Sequence, residues 1–319
     1  MNAKNCVQVG GFNVMKKGFL RILCFAMILF CGLQTVGFCK QMSVQQTSIV
    51  KEDEAKDREL FEAVDDGDFE KVKELIANGA DVNAKDSCYA TPLHFVKDVE
   101  IAKLLIKNGA HVNAHDFIGD SPLHQARNVE IARLLIENGA NVKDSSGYGT
   151  PLHFAKNAEI ARLLIENGAN VNAKGDYGST PLHWVEDVEI ARLLIENGAN
   201  VNAKNLHGDP PLNFVNNAEI ARLLIENGAN VNARAYYGWT PLHKANDVEI
   251  VKLLIENGAN VNAKNKSDGK TPLHCTGNVE IAKLLIENGA NVNAKDNNGK
   301  TPIDIARERG NKDIVQLLS

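Results

Sequence analysis

Six of the nine histidines stand in one register of the chain: His94, His124, His153, His183, His243 and His274. Imidazoles repeated in this way raise the possibility of acid–base work or a metal centre, because they change charge near neutral pH and their ring nitrogens ligate metals. The spacing argues against both. Neighbouring copies recur after 29 to 31 residues, with one doubled gap; units stacked at helix-packing distance put the rings roughly 8–10 Å apart. A shared metal requires ligand bonds near 2 Å. His111 and His115, four apart, would converge on a helix, but they fall in a segment read as extended, where four residues span about 13 Å. Cys88 and Cys275 lie far apart along the chain with no partner base in view. No phosphate-cradling glycine loop or serine elbow occurs. Arg133/Glu137, Arg162/Glu166, Arg192/Glu196 and Arg222/Glu226 read as the solvated, mutually screened face of a helix. No catalytic, cofactor-binding or metal-binding residue is assigned, and no cofactor is expected.

These residues ride on one repeated element. The tetrapeptide Thr91-Pro92-Leu93-His94 returns with variations at Ser121, Thr150, Thr180, Pro210, Thr240, Thr271 and Thr301, and all nine prolines lie in it. A near-copy of the segment Glu189 to Ala203 follows each of the first seven. Within one unit, Thr180 is expected to cap a short helix with its hydroxyl, and Pro181 suits the first helical position, where its missing N–H is no loss. Asp187 then caps a second helix, with Glu189 near its positive end and an apolar stripe of Ile190, Ala191, Leu193 and Leu194. Gly198 supplies the left-handed stop, and the chain leaves in extended form to a turn at Gly208. The unit is therefore helix, turn, helix, extended tip.

The tandem pattern resembles the ankyrin repeat over residues 58–319. The resemblance implies an all-α solenoid, an ankyrin array of helix-turn-helix units with extended, hairpin-like tips. It also implies that the tetrapeptide histidine hydrogen-bonds backbone of the adjacent repeat. Asn213 and Asp304 replace it in two copies. Repeats of this family run about 33 residues, whereas the internal ones here run about 30, and the deletion falls between the two helices. The first helix is thus expected to be nearly a turn short. Full-length caps are expected at 58–85 and 301–319, keeping Gly67 and Gly310 at the helix–helix turn. Seven short repeats between two caps make nine units, an arc on the order of 80–90 Å.

The first 39 residues read differently. Lys16, Lys17 and Arg21 precede an uncharged run from Ile22 to Leu33 that is apolar apart from one glycine, the layout of a secretory signal peptide. Twelve helical residues rise about 18 Å against a hydrocarbon core of roughly 30 Å. Thr35 and Gly37 are small enough for cleavage after Gly37. Export, to periplasm or exterior, is the expectation; a retained membrane anchor within residues 19–38 is the alternative. Cys39 follows Phe38, which departs from the lipoprotein pattern. Residues 40–57 read as a polar linker.

Hydrophobic residues at 44% and charged residues at 24% exclude a disordered chain and a multi-span membrane protein. The net charge is −5, and without the four bases of residues 1–37 it is 31 bases against 40 acids, −9. Such a body does not favour phosphate backbones, and no nucleic-acid partner is expected.

Because the second helix hardly changes between copies, the variable positions mark where stacking does not decide. Between residues 86 and 300 all eleven aromatics fall in two places. Tyr89, Phe117, Tyr148, Tyr177, Tyr236, Tyr237 and Trp239 are in tips, and Phe95, Phe154, Trp184 and Phe214 follow the tetrapeptide. Tips and first helices line the concave face by which ankyrin arrays grip partners, and Tyr and Trp are common interface anchors. Packing of tip on tip is the competing reading. For the helix position, filling the volume of the missing turn is favoured. The protein-binding candidates are Tyr89, Phe117, Tyr148, Tyr177, Trp184, Tyr236, Tyr237 and Trp239, with Tyr236, Tyr237 and Trp239 foremost. The expectation is a monomeric, non-enzymatic scaffold for an unidentified protein. A membrane-tethered spacer and a secreted effector acting on host proteins are the alternatives; membrane contact is expected only through an uncleaved leader.

Overall fold

The computed structural model describes residues 52–319. The leader, its cleavage point and linker residues 40–51 lie outside the described residues. Helices and turns make up the described chain, with no strand among the described residues. The first helix runs Glu52–Asp66 and so begins six residues inside the stretch read as linker. Apolar periodicity starts only at Leu60, but the Asp57 carboxylate ties the helix to the Asp81 backbone N–H at 2.8 Å. Phe69–Ala77 completes this first cap.

Each internal repeat then has a single turn of helix followed by a nine-residue helix. The turns are Pro92–His94, Pro122–Gln125, Pro151–Phe154, Pro181–His183, Pro211–Asn213, Pro241–Lys244 and Pro272–Cys275. In the last unit the corresponding helix is Pro302–Glu308, seven residues long. The missing residues thus cost the inner repeats about one turn. The long helices are Val99–Lys107, Val129–Glu137, Ala158–Glu166, Val188–Glu196, Ala218–Glu226, Val248–Glu256 and Val279–Glu287. Each starts on an Asp or Asn whose carboxylate or amide oxygen accepts first-turn N–H groups, as Asp98 does from Glu100 and Ile101 at 2.8 and 3.0 Å. Gly198 ends one of them with φ +84°.

A nine-residue helix cannot bury its stripe alone. Ile190, Ala191, Leu193 and Leu194 are buried in one continuous core from Leu60 to Ile314. The counterparts of Ile190, Ala191 and Leu194 are buried in every long helix, whereas Leu104, Leu134, Leu223 and Leu284 at the position of Leu193 are partly buried. The outer face differs in detail from expectation. The four-apart Arg–Glu pairs do not close; instead Glu100–Lys103, Glu249–Lys252 and Glu189–Arg192 pair three apart at 2.7, 3.4 and 3.7 Å. An acid N-terminal to a base is the order the helix dipole favours, whereas Arg followed by Glu is the reverse.

Three sets of polar bonds fasten neighbouring repeats. In the first, the backbone N–H and hydroxyl of Thr180 both meet His183 Nδ1, at 3.0 and 2.9 Å. The Thr180 hydroxyl is therefore engaged by the ring, in a reciprocal capping box with histidine at the third helical position. With Nδ1 accepting, Nε2 carries the proton and donates to the Asp209 carbonyl of the next repeat at 3.1 Å. His94, His124, His153, His243 and His274 make the same bridge at 3.0–3.1 Å. In the second set, Asn202 Nδ2 donates to Gly228 O and Asn202 Oδ1 accepts from Asn230 N–H, both at 2.8 Å. Asn83, Asn113, Asn172, Asn232 and Asn262 do likewise. Lys143 stands at this position in the remaining junction. The third set joins the tips and is described with them below.

The histidine set fails where its local partner fails. Pro210 has neither N–H nor hydroxyl to offer a ring, and the Asn213 amide turns back to Asp209 Oδ1, leaving its own buried Oδ1 without a partner. Lys244 of the following repeat spans this junction instead, bonding Asp209 Oδ1 at 2.7 Å. In the last described unit Asp304 stands at this position, bonds locally to Thr301 and pairs with Arg307 at 3.6 Å.

Two outcomes follow for stability. The double substitution Pro210→Thr, Asn213→His rebuilds the missing bridge and is expected to raise the urea midpoint by the equivalent of about 1 kcal/mol, whereas Asn213→His alone, lacking a donor for Nδ1, gives no gain. Burial lowers the pKa of all six bridging histidines. Unfolded, they titrate near about 6.5, so below that pH the unfolded chain binds protons that the folded one refuses. Their contribution is full above about pH 6.5 and is lost as pH falls, at up to about 1.4 kcal/mol per pH unit for each ring. Urea midpoints measured at pH 7.5, 6.5 and 5.5 should drop steeply over the lower interval; a flat series would contradict neutral, bridging rings.

Candidate functional site

The tips are built by residues that fold the backbone on itself. In the fifth, Asn205 N–H bonds Asp209 O at 3.1 Å, and Asn205 Oδ1 accepts from His207 and Asp209 N–H at 2.9 and 3.0 Å. Gly208 turns the chain with φ +72°. Each tip then donates one backbone N–H to the tip before it. Phe117 bonds Cys88 O, Gly147 bonds Ile118 O, Asp176 bonds Tyr148 O and Leu206 bonds Tyr177 O. Tyr236, Lys266 and Asn297 continue to His207, Tyr237 and Asp268. Seven bonds of 2.7–2.9 Å thus link eight tips in one file.

With backbone groups spent on each other, the tip side chains are left outward. Tyr89, Phe117, Tyr148, Tyr177, Tyr236 and Tyr237 are 40–74% exposed. Neighbour packing accounts for part of their surface: Tyr177 lies 5.6 Å from the His207 ring, and Tyr236 stands edge-on to Tyr237 at 5.3 Å. Trp239, ranked among the foremost candidates, is only half-exposed and packs edge-on against His243 at 5.5 Å. As the residue that closes the tip on Ala235, it is turned toward the helix turn that follows. Two exposed tip residues lay outside the aromatic count: Leu206 at 76% and Ile118. Their signal was register, since Leu206 occupies the tip position of Phe117 and Tyr236.

The position after the tetrapeptide does both things asked of it. Phe154, Trp184 and Phe214 each stand against the histidine of the preceding repeat, with centroids 5.8–6.3 Å apart, and Phe154 meets Trp184 edge-on at 6.2 Å. Phe95 meets Phe61 of the first cap at 6.0 Å. Phe95 and Phe154 are half-buried, whereas Trp184 and Phe214 remain exposed. Lys244 sits 5.2 Å over the Phe214 ring, held there by Asp209, and Gln125 bonds Asp120 Oδ2 at 2.9 Å.

The groups that raised the question of chemistry are engaged elsewhere. The six tetrapeptide histidines have both ring nitrogens bonded, Nδ1 to the Thr or Ser of their own tetrapeptide and Nε2 to a carbonyl of the next repeat. His115 pairs with Asp144 at 2.7 Å and not with His111, whose backbone N–H takes part in the asparagine set. Burial pushes the Cys275 thiol up to about 12, which removes the thiolate a nucleophile needs.

The family model described as ankyrin repeats, three copies, matches residues 60–146, 127–205, 207–265 and 244–319. No curated protein matches the chain.

Tyr89 and Tyr177 are the two non-glycine residues with positive φ among the described residues, at +61° and +49°, and Tyr89 stands at the position of the tip glycine. Its φ of +61° is the left-handed geometry that glycine supplies in most other tips, where a side chain costs roughly 1–2 kcal/mol. Strain of this kind gathers at functional positions. Tyr89→Gly is expected to raise the urea midpoint by the equivalent of about 1 kcal/mol, net of the contact with Lys85, which lies 5.7 Å over the ring. A lower midpoint would mean that the ring is a packing element.

Proposed function

The chain belongs to the ankyrin-repeat family, whose members generally mediate protein–protein interaction and are typically non-enzymatic scaffolds, and from that premise we propose that it grips a protein partner along its file of tips and the adjoining first-helix positions. One observation carries this reading. Every exposed large hydrophobic side chain among the described residues is in a tip or at the position after the tetrapeptide. Six successive tips, from Tyr89 to Tyr237, each present at least one. Elsewhere the apolar residues are spent on the core, so this surface has no role in holding a repeat to its neighbour beyond the partial ring contacts.

Exposed apolar surface on this scale marks an interaction site, and tyrosines give large contact area for few torsions lost. The partner lies on the concave side of the array in this reading, with Trp184 and Phe214 beneath it and the tips at its edge. Trp239 contributes through the shape of its tip and not as a free anchor. We place the array outside the cytoplasm on the strength of the uncharged run Ile22 to Leu33 behind Lys16, Lys17 and Arg21, and regard it as a monomer.

The test replaces Tyr177, Leu206 and Tyr236 together with alanine. All three are exposed at 60% or more, so helical circular dichroism is expected to stay unchanged. Capture of the partner, identified with the unsubstituted array as bait, should fall at least tenfold. Full capture by the triple variant would remove the tips from the interface.

A further inference from the structure

A second row of side chains runs beside the apolar tips. The residue just before the tip is Lys85, Lys174, Lys204, Arg234, Lys264 or Lys295 in six of the eight repeats, and all six are exposed. Within the described residues, none of them has a carboxylate partner. Lys174, Arg234 and Lys264 reach along the array to the backbone carbonyls of residues 204, 264 and 295, at 2.9, 2.9 and 2.6 Å. A cation held by a neutral acceptor keeps its charge for a partner.

The tip carboxylates are turned the other way. Asp86, Asp116 and Asp296 accept N–H groups of their own tips. Asp209 is taken by Lys244 and Asp268 by Lys270. No tip carboxylate is exposed, whereas Lys266 adds a further exposed base. The exposed charge of the tip edge is therefore positive on a chain whose net charge is −5, because most of the exposed glutamates are on the long helices and none is in a tip.

We propose that the tip edge binds an acidic polypeptide segment in extended conformation, its carboxylates meeting this row of bases and the side chains between them meeting the exposed tyrosines and Leu206. This deepens the reading under Proposed function and rests on it. The row is unbroken over five repeats, from Lys174 to Lys295; His115 and Ser145 interrupt it earlier. At roughly 8–10 Å per repeat, five bases span about 40 Å. An extended chain rises about 3.3 Å per residue, so an acid at every third residue keeps step with the bases over about 12 residues. A single file of cations flanked by glutamate-bearing helices suits a line of carboxylates better than an anionic bilayer, which the glutamates would repel.

The test uses the full chain and a fluorescein-labelled 15-residue peptide repeating Asp-Leu-Ser, read by anisotropy. Lys-Leu-Ser repeats and phosphatidylcholine vesicles with phosphatidylglycerol are the comparison probes. The Asp peptide should saturate in the micromolar range and weaken at least tenfold between about 50 and 500 mM salt, with little binding of either comparison probe. Lys174→Glu, Arg234→Glu, Lys264→Glu should weaken it at least tenfold. If that variant folds poorly, Lys204→Glu with Lys295→Glu, whose side chains hold no bond in the array, should weaken it at least threefold. Equal affinity for the Lys peptide, insensitivity to salt and charge reversal, or binding to vesicles without binding to the Asp peptide would overturn the proposal. Loss of partner capture in the alanine triple variant, alongside full capture in the charge-reversed one, would leave the tips as the protein-binding surface and reject the acidic partner.

Discussion

A unit of one helical turn and one nine-residue helix has too little of itself to bury its own leucines. Its core must be completed by the unit on either side, and everything else in the molecule follows from the register this imposes. Once each long helix lies on the next at a constant offset, any group that points along the array meets the same surroundings in every copy. A histidine that finds a carbonyl at one junction finds it at the others, and so does an asparagine amide. The deletion of a turn is tolerated on the same basis. Rings at the exposed end of the short turn lean on the preceding histidine and take up part of the space a longer helix would fill.

Much of this was legible in the residues. The period, the Asp or Asn cap of each long helix and the buried stripe of Ile190, Leu193 and Leu194 are local patterns, and local patterns survive translation into structure. The asparagine bridges were not legible. An amide that can both donate through its NH2 and accept through its oxygen gives no hint of which backbone groups it will span until the neighbouring repeat is in place. The start of the first helix was missed because an acidic, non-periodic stretch can extend a helix without contributing to any core. Among the surface candidates, exposure was the quantity sequence could not supply. Trp239 closes its tip and lies against His243, while Leu206, passed over because it is not aromatic, stands further into solvent than the tyrosines.

The division of labour between faces has an electrostatic side. Acids on the tips are consumed in shaping the turns, where carboxylates are the best acceptors for closely spaced N–H groups. The bases just before the tips have long stems, and those that bond within the array, Lys174, Arg234 and Lys264, reach carbonyls. A chain with an excess of acid can in this way show one positive edge, and counting charges over the whole sequence hides it. The acidic excess that disfavours a phosphate backbone belongs to the body and not to the edge.

The bonds between repeats run from equivalent atoms to equivalent atoms, which bears on how such a chain changes length. Removing or duplicating one whole unit, cut anywhere in its period, would bring together ends that already match in stripe, bridge and tip. Partial insertions would break all three at once. Growth by complete modules is therefore the mutational path of least resistance, and each added module lengthens the footprint available to a partner by one tip. The exceptions at Lys143 and Asn213 would travel with their modules, as marks by which a shuffled copy could be traced.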